Sequence, residues 1–254
     1  MIKNLQSENM FLTSKNIWSS YDGKLQWAQC VFSKEHYHPG LFKDLNIERP
    51  LTIEKSTIKR QAEFLAGRYA AKLALEKCQY TSNTPLSIPI GKHREPIWPA
   101  GYIGSISHCT GIALCASALK NEIHYLGIDI EPYIPEPLAV KIASQIHTDH
   151  EQHLLRKIGL SYSQITTLLY SAKESFFKAI YPRVGEYFGF ESISLTAINM
   201  DENKLIFEVK DFFYQRYLLE SRYECQFQLC PLYVITLVTS QISAVATSEE
   251  GGRK

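Results

Sequence analysis

The stretch Gly127-Ile128-Asp129-Ile130-Glu131 sets two carboxylates at alternate positions of a segment in which Leu126, Ile128 and Ile130 supply the apolar partners. That period of two is the period of a β-strand. Asp129 and Glu131 then leave the same face, with Cα atoms about 6–7 Å apart at roughly 3.3 Å per residue. Two carboxylates that close repel unless a cation lies between them, and oxygen-only ligands suit a hard ion such as Mg²⁺. Further on, Ile165, Leu169, Ala172, Phe176 and Ile180 recur at helical spacing and predict a buried stripe. Glu174 and Lys178 fall almost opposite that stripe, one turn apart, so an acid and an amine face together away from the buried side. Each pattern also has an ordinary reading. An Asp-x-Glu strand can be a solvated edge, and a Glu–Lys helix can carry a surface pair worth about 0.2–0.5 kcal/mol.

Other groups could take anions. Arg60 and Arg68 lie in a helix over Ser56–Gln79, rich in alanine and interrupted by Gly67, where a glycine marks the close approach of a neighbour or ligand. Lys92, His93 and Arg94 sit in a Pro-rich loop from Thr81 to Pro99. Gly104-Ser105-Ile106-Ser107-His108 reads either as an anion cradle or as a glycine–serine turn before a buried strand over Ile112–Leu119. His147, His150 and His153 have metal-compatible spacing, but Thr148 and Glu151 among them form a capping box, the signature of a helix start.

These residues need elements to carry them. The chain has 254 residues, 45% hydrophobic and 21% charged, ordinary values for a globular protein. The net charge of +1 argues against a dedicated nucleic-acid binder. No apolar run is long enough to span a bilayer, Met1 to Lys15 show no signal peptide, and the six dispersed cysteines fit reduced thiols in the cytoplasm. Strands are expected at Leu25–Phe32, Ile112–Leu119, His124–Glu131, Phe190–Met200, Leu205–Val209 and Tyr223–Thr239, with Asp201-Glu202-Asn203 as a hairpin turn. Helices are expected at Leu138–Ile146 and at Ser161–Tyr181, the latter ended by Pro182. The order strand, helix, strands occurs twice, split near Lys120-Asn121-Glu122. The predicted fold class is therefore α+β in two similar halves, residues 1–121 and 122–240, followed by a flexible tail over 241–254.

Four blocks between about residues 58 and 191 resemble the 4′-phosphopantetheinyl transferase superfamily, and within it the monomeric, enterobactin synthase component D-like group of siderophore and peptide synthesis. They are Lys59-Arg60 with Glu63-Phe64-Leu65-Ala66-Gly67-Arg68; Arg94-Glu95-Pro96-Ile97-Trp98-Pro99 running into Gly104-Ser105-Ile106-Ser107-His108; Gly127-Ile128-Asp129-Ile130-Glu131; and Lys173-Glu174-Ser175-Phe176-Phe177-Lys178. The resemblance implies two pseudo-symmetric α+β halves with coenzyme A in the cleft between them. It implies transfer of the 4′-phosphopantetheine arm to a serine of an apo acyl, aryl or peptidyl carrier protein, with release of 3′,5′-ADP, in siderophore or other nonribosomal peptide or polyketide biosynthesis. Asp129, Glu131 and Glu174 then match the Mg²⁺ carboxylates. Glu174 is placed to receive the serine proton, directly or through water, and Lys178 to offset charge on the leaving group. Arg60, Arg68, Arg94 and His108 match the positions that grip the nucleotide phosphates, with Ser107 beside them. Many relatives carry a lysine in the loop of Arg94, which leaves the register between Lys92 and Arg94 open. Tyr187-Phe188-Gly189-Phe190 is either a contact for the carrier or core packing.

Two rivals come from other classes. A metal-dependent nuclease uses a similar carboxylate and lysine set, but keeps its second acid and lysine two apart on one strand. A noncatalytic regulator that binds coenzyme A or a carrier protein would lack one of Asp129, Glu131, Glu174 or Lys178, and none is missing.

Overall fold

A computed structural model of the chain describes residues 10–21 and 23–240. The tail expected over 241–254 and most of the segment from Met1 to Lys15 lie outside the described residues. Among the described residues, nine strands and seven helices follow in the order β1 (Leu12–Ser20), β2 (Leu25–Phe32), α1 (Leu41–Asp44), α2 (Leu51–Glu54), α3 (Ile58–Lys77), β3 (Tyr102–Cys109), β4 (Ile112–Leu119), β5 (Leu126–Pro132), α4 (Glu136–Ile146), α5 (Asp149–Arg156), α6 (Tyr162–Val184), β6 (Ile193–Asn199), β7 (Lys204–Val209), α7 (Asp211–Tyr217), β8 (Arg222–Leu229) and β9 (Tyr233–Thr239). The strands form one four-stranded sheet, β1-β2-β4-β3, and one five-stranded sheet, β5-β9-β8-β7-β6. Every paired neighbour is antiparallel. This is the α+β class expected.

Each sheet carries one long helix. In α3, Thr57 caps the first turn by accepting from the Arg60 N–H at 3.3 Å, and a face of alanines and leucines closes on the first sheet. Gly67 is where that helix meets β3: a Cβ there would lie 3.1 Å from Ile106 Cγ2. Ser161 and Gln164 form a capping box at the start of α6. Its end departs from expectation. The helix runs through Pro182 to Val184 and stops at Gly185, which takes the left-handed conformation at φ 73°. A proline removes one backbone bond to the preceding turn, and so close to a glycine cap the helix tolerates that loss.

The contact between α6 and β5 fixes the centre of the molecule. A Cβ on Gly127 would lie 1.9 Å from the Ser175 carbonyl oxygen and 2.5 Å from the Ala179 nitrogen, so strand and helix touch backbone to backbone. Buried hydroxyls set the helix's register on the neighbouring strand: Ser171 and Ser175 meet Thr236 at 2.9 and 2.7 Å.

The two sheets meet edge to edge through side chains. Ser105 Oγ accepts from the Ile128 N–H at 3.0 Å, and Ser107 Oγ accepts from the Ile130 N–H at 3.3 Å. The constant offset means that β3 and β5 run parallel. A third apolar cluster, including Trp27, Leu114, Ile128 and Leu237, packs across the junction. Among the described residues no helix is long and apolar enough to cross a membrane.

Several elements differ from the sequence reading. Tyr102–Cys109 is itself a strand rather than a cradle or turn, and Gly104 there leaves room for the Trp98 ring. Tyr223–Thr239 is two strands, and Phe190–Ser192 is a short 3₁₀ turn before β6. Met200 to Asn203 do turn β6 into β7.

Candidate active site

Asp129 is the most enclosed of the three carboxylates Asp129, Glu131 and Glu174, with 2% of its surface exposed. Its Oδ1 accepts from Lys178 Nζ at 2.6 Å and from Ser107 Oγ at 2.8 Å. Its Oδ2 is buried without a hydrogen-bond partner among the described residues. Lys178 reaches it because α6 lies against β5 at Gly127, and its ammonium also donates to Ser107 Oγ and the Ile128 carbonyl, both at 3.1 Å.

The neighbouring carboxyls feel one another. Burial, with the charges of Asp129 and Glu174, pushes Glu131 up to about 7 against the opposing pull of Lys178. Glu174 is likewise raised by burial and by Asp129. The Tyr170 hydroxyl is raised by burial and by all three carboxylates. Strand and helix thus bring Asp129, Glu131, Glu174 and Lys178 within electrostatic reach.

The donor set fits a hard divalent cation. Three carboxylates supply oxygen alone, two are held above their ordinary range by burial and mutual repulsion, and one buried oxygen has no partner. Among the described residues, no three acidic, His or Cys side chains converge on one point.

A cleft of about 1690 Å³ opens beside this group, lined from the first half by Arg60, Arg68, Lys92, Arg94 and His108 and from the second by Glu174 and Lys178. Its volume exceeds the roughly 300–1,000 Å³ of ordinary small-molecule pockets. Arg60 Nη1 lies 3.1 Å from His108 Nε2. Arg68 is 8% exposed; its Nε donates to the Ile88 carbonyl at 3.2 Å and its guanidinium lies 4.5 Å from the Phe64 ring centroid. Burial pushes Arg68 down to about 10, so it stays cationic at neutral pH. Lys92 and Arg94 both reach the cleft and both are exposed, so the loop presents two cations. Ser107 is not in the cleft wall; its hydroxyl is engaged by Asp129, Lys178 and Ile130 behind it.

Two chemically important residues escaped the sequence reading. Glu151, seen there only as a capping residue, is 1% exposed and pairs with the equally buried Lys173 at 2.9 Å. Glu151 also accepts from the Leu195 N–H at 2.9 Å and the Thr148 N–H at 2.8 Å, while Lys173 donates to the Ile146 carbonyl at 2.8 Å. Four elements are tied together one residue before Glu174. The histidines nearby are otherwise placed: His147 Nε2 meets Thr166 Oγ1 at 3.2 Å, and His150 and His153 are exposed. In the loop after α6, Tyr187 is exposed while Phe188 packs on Phe176, Phe177 and Phe213.

Two family models match successive segments of the chain, and β1 and β2 lie outside both. The first half matches the 4′-phosphopantetheinyl transferase N-terminal domain over residues 48–118, and the second matches the 4′-phosphopantetheinyl transferase superfamily over residues 125–237. The chain belongs to the 4′-phosphopantetheinyl transferase superfamily. Its similar proteins include enterobactin synthase component D of Salmonella typhi, 38% identical over 142 residues, 56% of either chain. The 4′-phosphopantetheinyl transferase Npt of Nocardia iowensis is 34% identical over 144 residues, 57% of this chain and 62% of its own. The 4′-phosphopantetheinyl transferase PptT of Mycobacterium tuberculosis is 32% identical over 159 residues, 62% and 66%. The chain thus spans a little over half to about two thirds of the length of these relatives. In the superfamily's terms, the acidic group lies in the segment matched by the second model, and Arg60, Arg68, Arg94 and His108 lie in that matched by the first.

Proposed function

We propose that this chain is a Mg²⁺-dependent 4′-phosphopantetheinyl transferase acting on coenzyme A and the serine of an apo acyl, aryl or peptidyl carrier protein. In this reading residues 1–121 hold the nucleotide end and residues 122–240 carry the chemistry, and the protein works as a cytoplasmic monomer. Relatives named enterobactin synthase component D favour a place in siderophore or related nonribosomal peptide synthesis.

The observation that carries the reading is the buried Oδ2 of Asp129, without a hydrogen-bond partner among the described residues, in a group where burial and the Asp129 charge also raise the Glu131 and Glu174 carboxyls. Asp129, Glu131 and Glu174 would hold Mg²⁺. Bound there, the ion would neutralise charge that builds on the phosphates as the pyrophosphate is cleaved. Arg60, Arg68, Arg94 and His108 bind the nucleotide phosphates; the planar guanidinium fork suits paired phosphate oxygens. Ser107 acts one step back, fixing Asp129 and Lys178. The carrier serine Oγ attacks the phosphorus bearing the pantetheine arm, its proton passes to Glu174, and the bond to 3′,5′-ADP breaks. Lys178 lies on the same helix face as Glu174, where its ammonium offsets the charge of the departing phosphate.

Incubation with coenzyme A, Mg²⁺ and an apo carrier protein tests this by intact mass. The carrier should gain one phosphopantetheine group, and the gain should vanish when its acceptor serine is replaced. An unchanged mass across a panel of acyl and peptidyl carriers would reduce the chain to a binder of coenzyme A or of carriers.

A further inference from the structure

The loop that brings Lys92 and Arg94 to the cleft is folded on itself but held to the second half at a single point. Ile90 and Pro96 form a bridge, the Gly91 N–H donates to the Glu95 carbonyl at 2.8 Å, and Arg94, at φ 71°, donates its N–H to the Gly91 carbonyl at 3.1 Å. The Glu95 carboxylate accepts from the His93 N–H at 2.8 Å. These bonds shape the tip without fixing where it lies. Among the described residues, two hydrogen bonds tie residues 89–97 to the second half, and both involve His93. Its Nδ1 bonds the Tyr181 hydroxyl, and its carbonyl accepts from the Tyr187 hydroxyl at 3.1 Å. The imidazole also packs against both rings, 5.8 Å from Tyr181 and 4.9 Å from Tyr187 between centroids. Tyr187 in turn stacks on Phe177 at 14°, on the helix that carries Glu174 and Lys178.

We propose that His93 is a positioning residue: a latch between the two halves that holds Lys92 and Arg94 against the phosphates of bound coenzyme A. This rests on the transferase reading above. His93 itself touches tyrosines rather than the reacting atoms, so it acts through its two neighbours. A self-folded tip carrying two exposed cations gives little affinity if it can swing away, because ordering it on binding then opposes the contacts it makes. Docked in advance on Tyr181 and Tyr187, the tip meets the anion without that opposing term. The latch also crosses the cleft, coupling the nucleotide-binding wall to the end of the catalytic helix.

The test compares wild type with His93→Ala, His93→Asn and Tyr187→Phe in the full chain. Amide hydrogen exchange over residues 91–96 reads the latch without reference to any activity, and calorimetry with coenzyme A reads its consequence. His93→Ala should speed exchange in the tip at least tenfold and weaken coenzyme A about five- to twentyfold. In the transfer assay it should raise KM for coenzyme A with kcat at saturation within about twofold and KM for the carrier unchanged. Asparagine, whose side-chain amide can meet the Tyr181 hydroxyl, should restore most of the affinity, and Tyr187→Phe should fall between. A merely structural role would lower kcat through loss of folded protein and leave KM alone. Unchanged exchange in His93→Ala, or faster exchange with wild-type affinity, overturns the latch. A wild-type chain without affinity for coenzyme A overturns the transferase reading, and the latch's function with it.

Discussion

Gly127→Ala removes nothing and adds one methyl group, yet it strikes where the cleft is assembled. The added carbon would lie 1.9 Å from the Ser175 carbonyl oxygen and 2.5 Å from the Ala179 nitrogen. Both are main-chain atoms of a packed helix, so no side chain can swing aside. To restore the 3.4 Å of ordinary contact, α6 must retreat from β5 by about 1.5 Å. That movement strains the buried hydroxyl bonds from Ser171 and Ser175 to Thr236. Overpacking costs typically 1–3 kcal/mol, and two backbone atoms of one packed helix in the way place this case at or beyond about 3 kcal/mol. The same retreat carries Glu174 and Lys178 away from Asp129, and a misplacement of about 1 Å can lower a rate 100-fold. Urea denaturation should therefore show a lower midpoint with an unchanged slope, and any folded fraction should transfer at least 100-fold more slowly. A Gly127→Ala protein with wild-type midpoint and rate would refute the claim that helix and strand touch here.

Glu131→Ala should abolish Mg²⁺ binding by calorimetry and drop transfer at least about 100-fold with the circular dichroism spectrum unchanged; full activity would remove Glu131 from the metal set. Arg68→Ala should weaken coenzyme A by roughly 10- to 100-fold, since a hydrogen bond to a charged group is worth about 1.5–3 kcal/mol, and unchanged binding would leave Arg68 a purely structural arginine. Lys173→Met should cost about 3–5 kcal/mol by stranding the buried Glu151 carboxylate, measured by denaturation at neutral pH. The wild-type pair should also show in acid. Burial alone would raise the Glu151 carboxyl, but Lys173 and the Leu195 and Thr148 N–H groups outweigh it and hold it low. Its stabilisation is thus complete above the unfolded value of about 4.3 and is lost as pH falls through the lower folded value. A Glu151→Gln protein should have a flatter acid stability profile, and a profile parallel to wild type would count against the pair.

What the sequence made visible was local. Asp129 and Glu131 alternate with isoleucines, and Glu174 with Lys178 oppose an apolar stripe, so period and residue type alone place each pair on its element. That the two elements touch was hidden in Gly127, whose meaning depends on a helix some fifty residues away. The strand Tyr102–Cys109 escaped because its buried face reads Ile103, Ser105, Ser107, two of them hydroxyls that an apolar alternation does not count. Those serines are inside because they answer the N–H groups of an edge strand in the other sheet, a demand invisible from their own neighbours. Lys173 and Glu151 hid for the same reason: each charge looks solvent-bound until its partner is known. The helix Asp211–Tyr217 was masked by a Phe-Phe-Tyr run with strand propensity, overridden when Phe213 packed into the second core. In each case the missing term was a polar or steric contact between segments distant in sequence. The cleft is built from such contacts: serines join the sheets, a glycine seats the helix of Glu174 and Lys178, and a histidine ties the loop of Lys92 and Arg94 across to it.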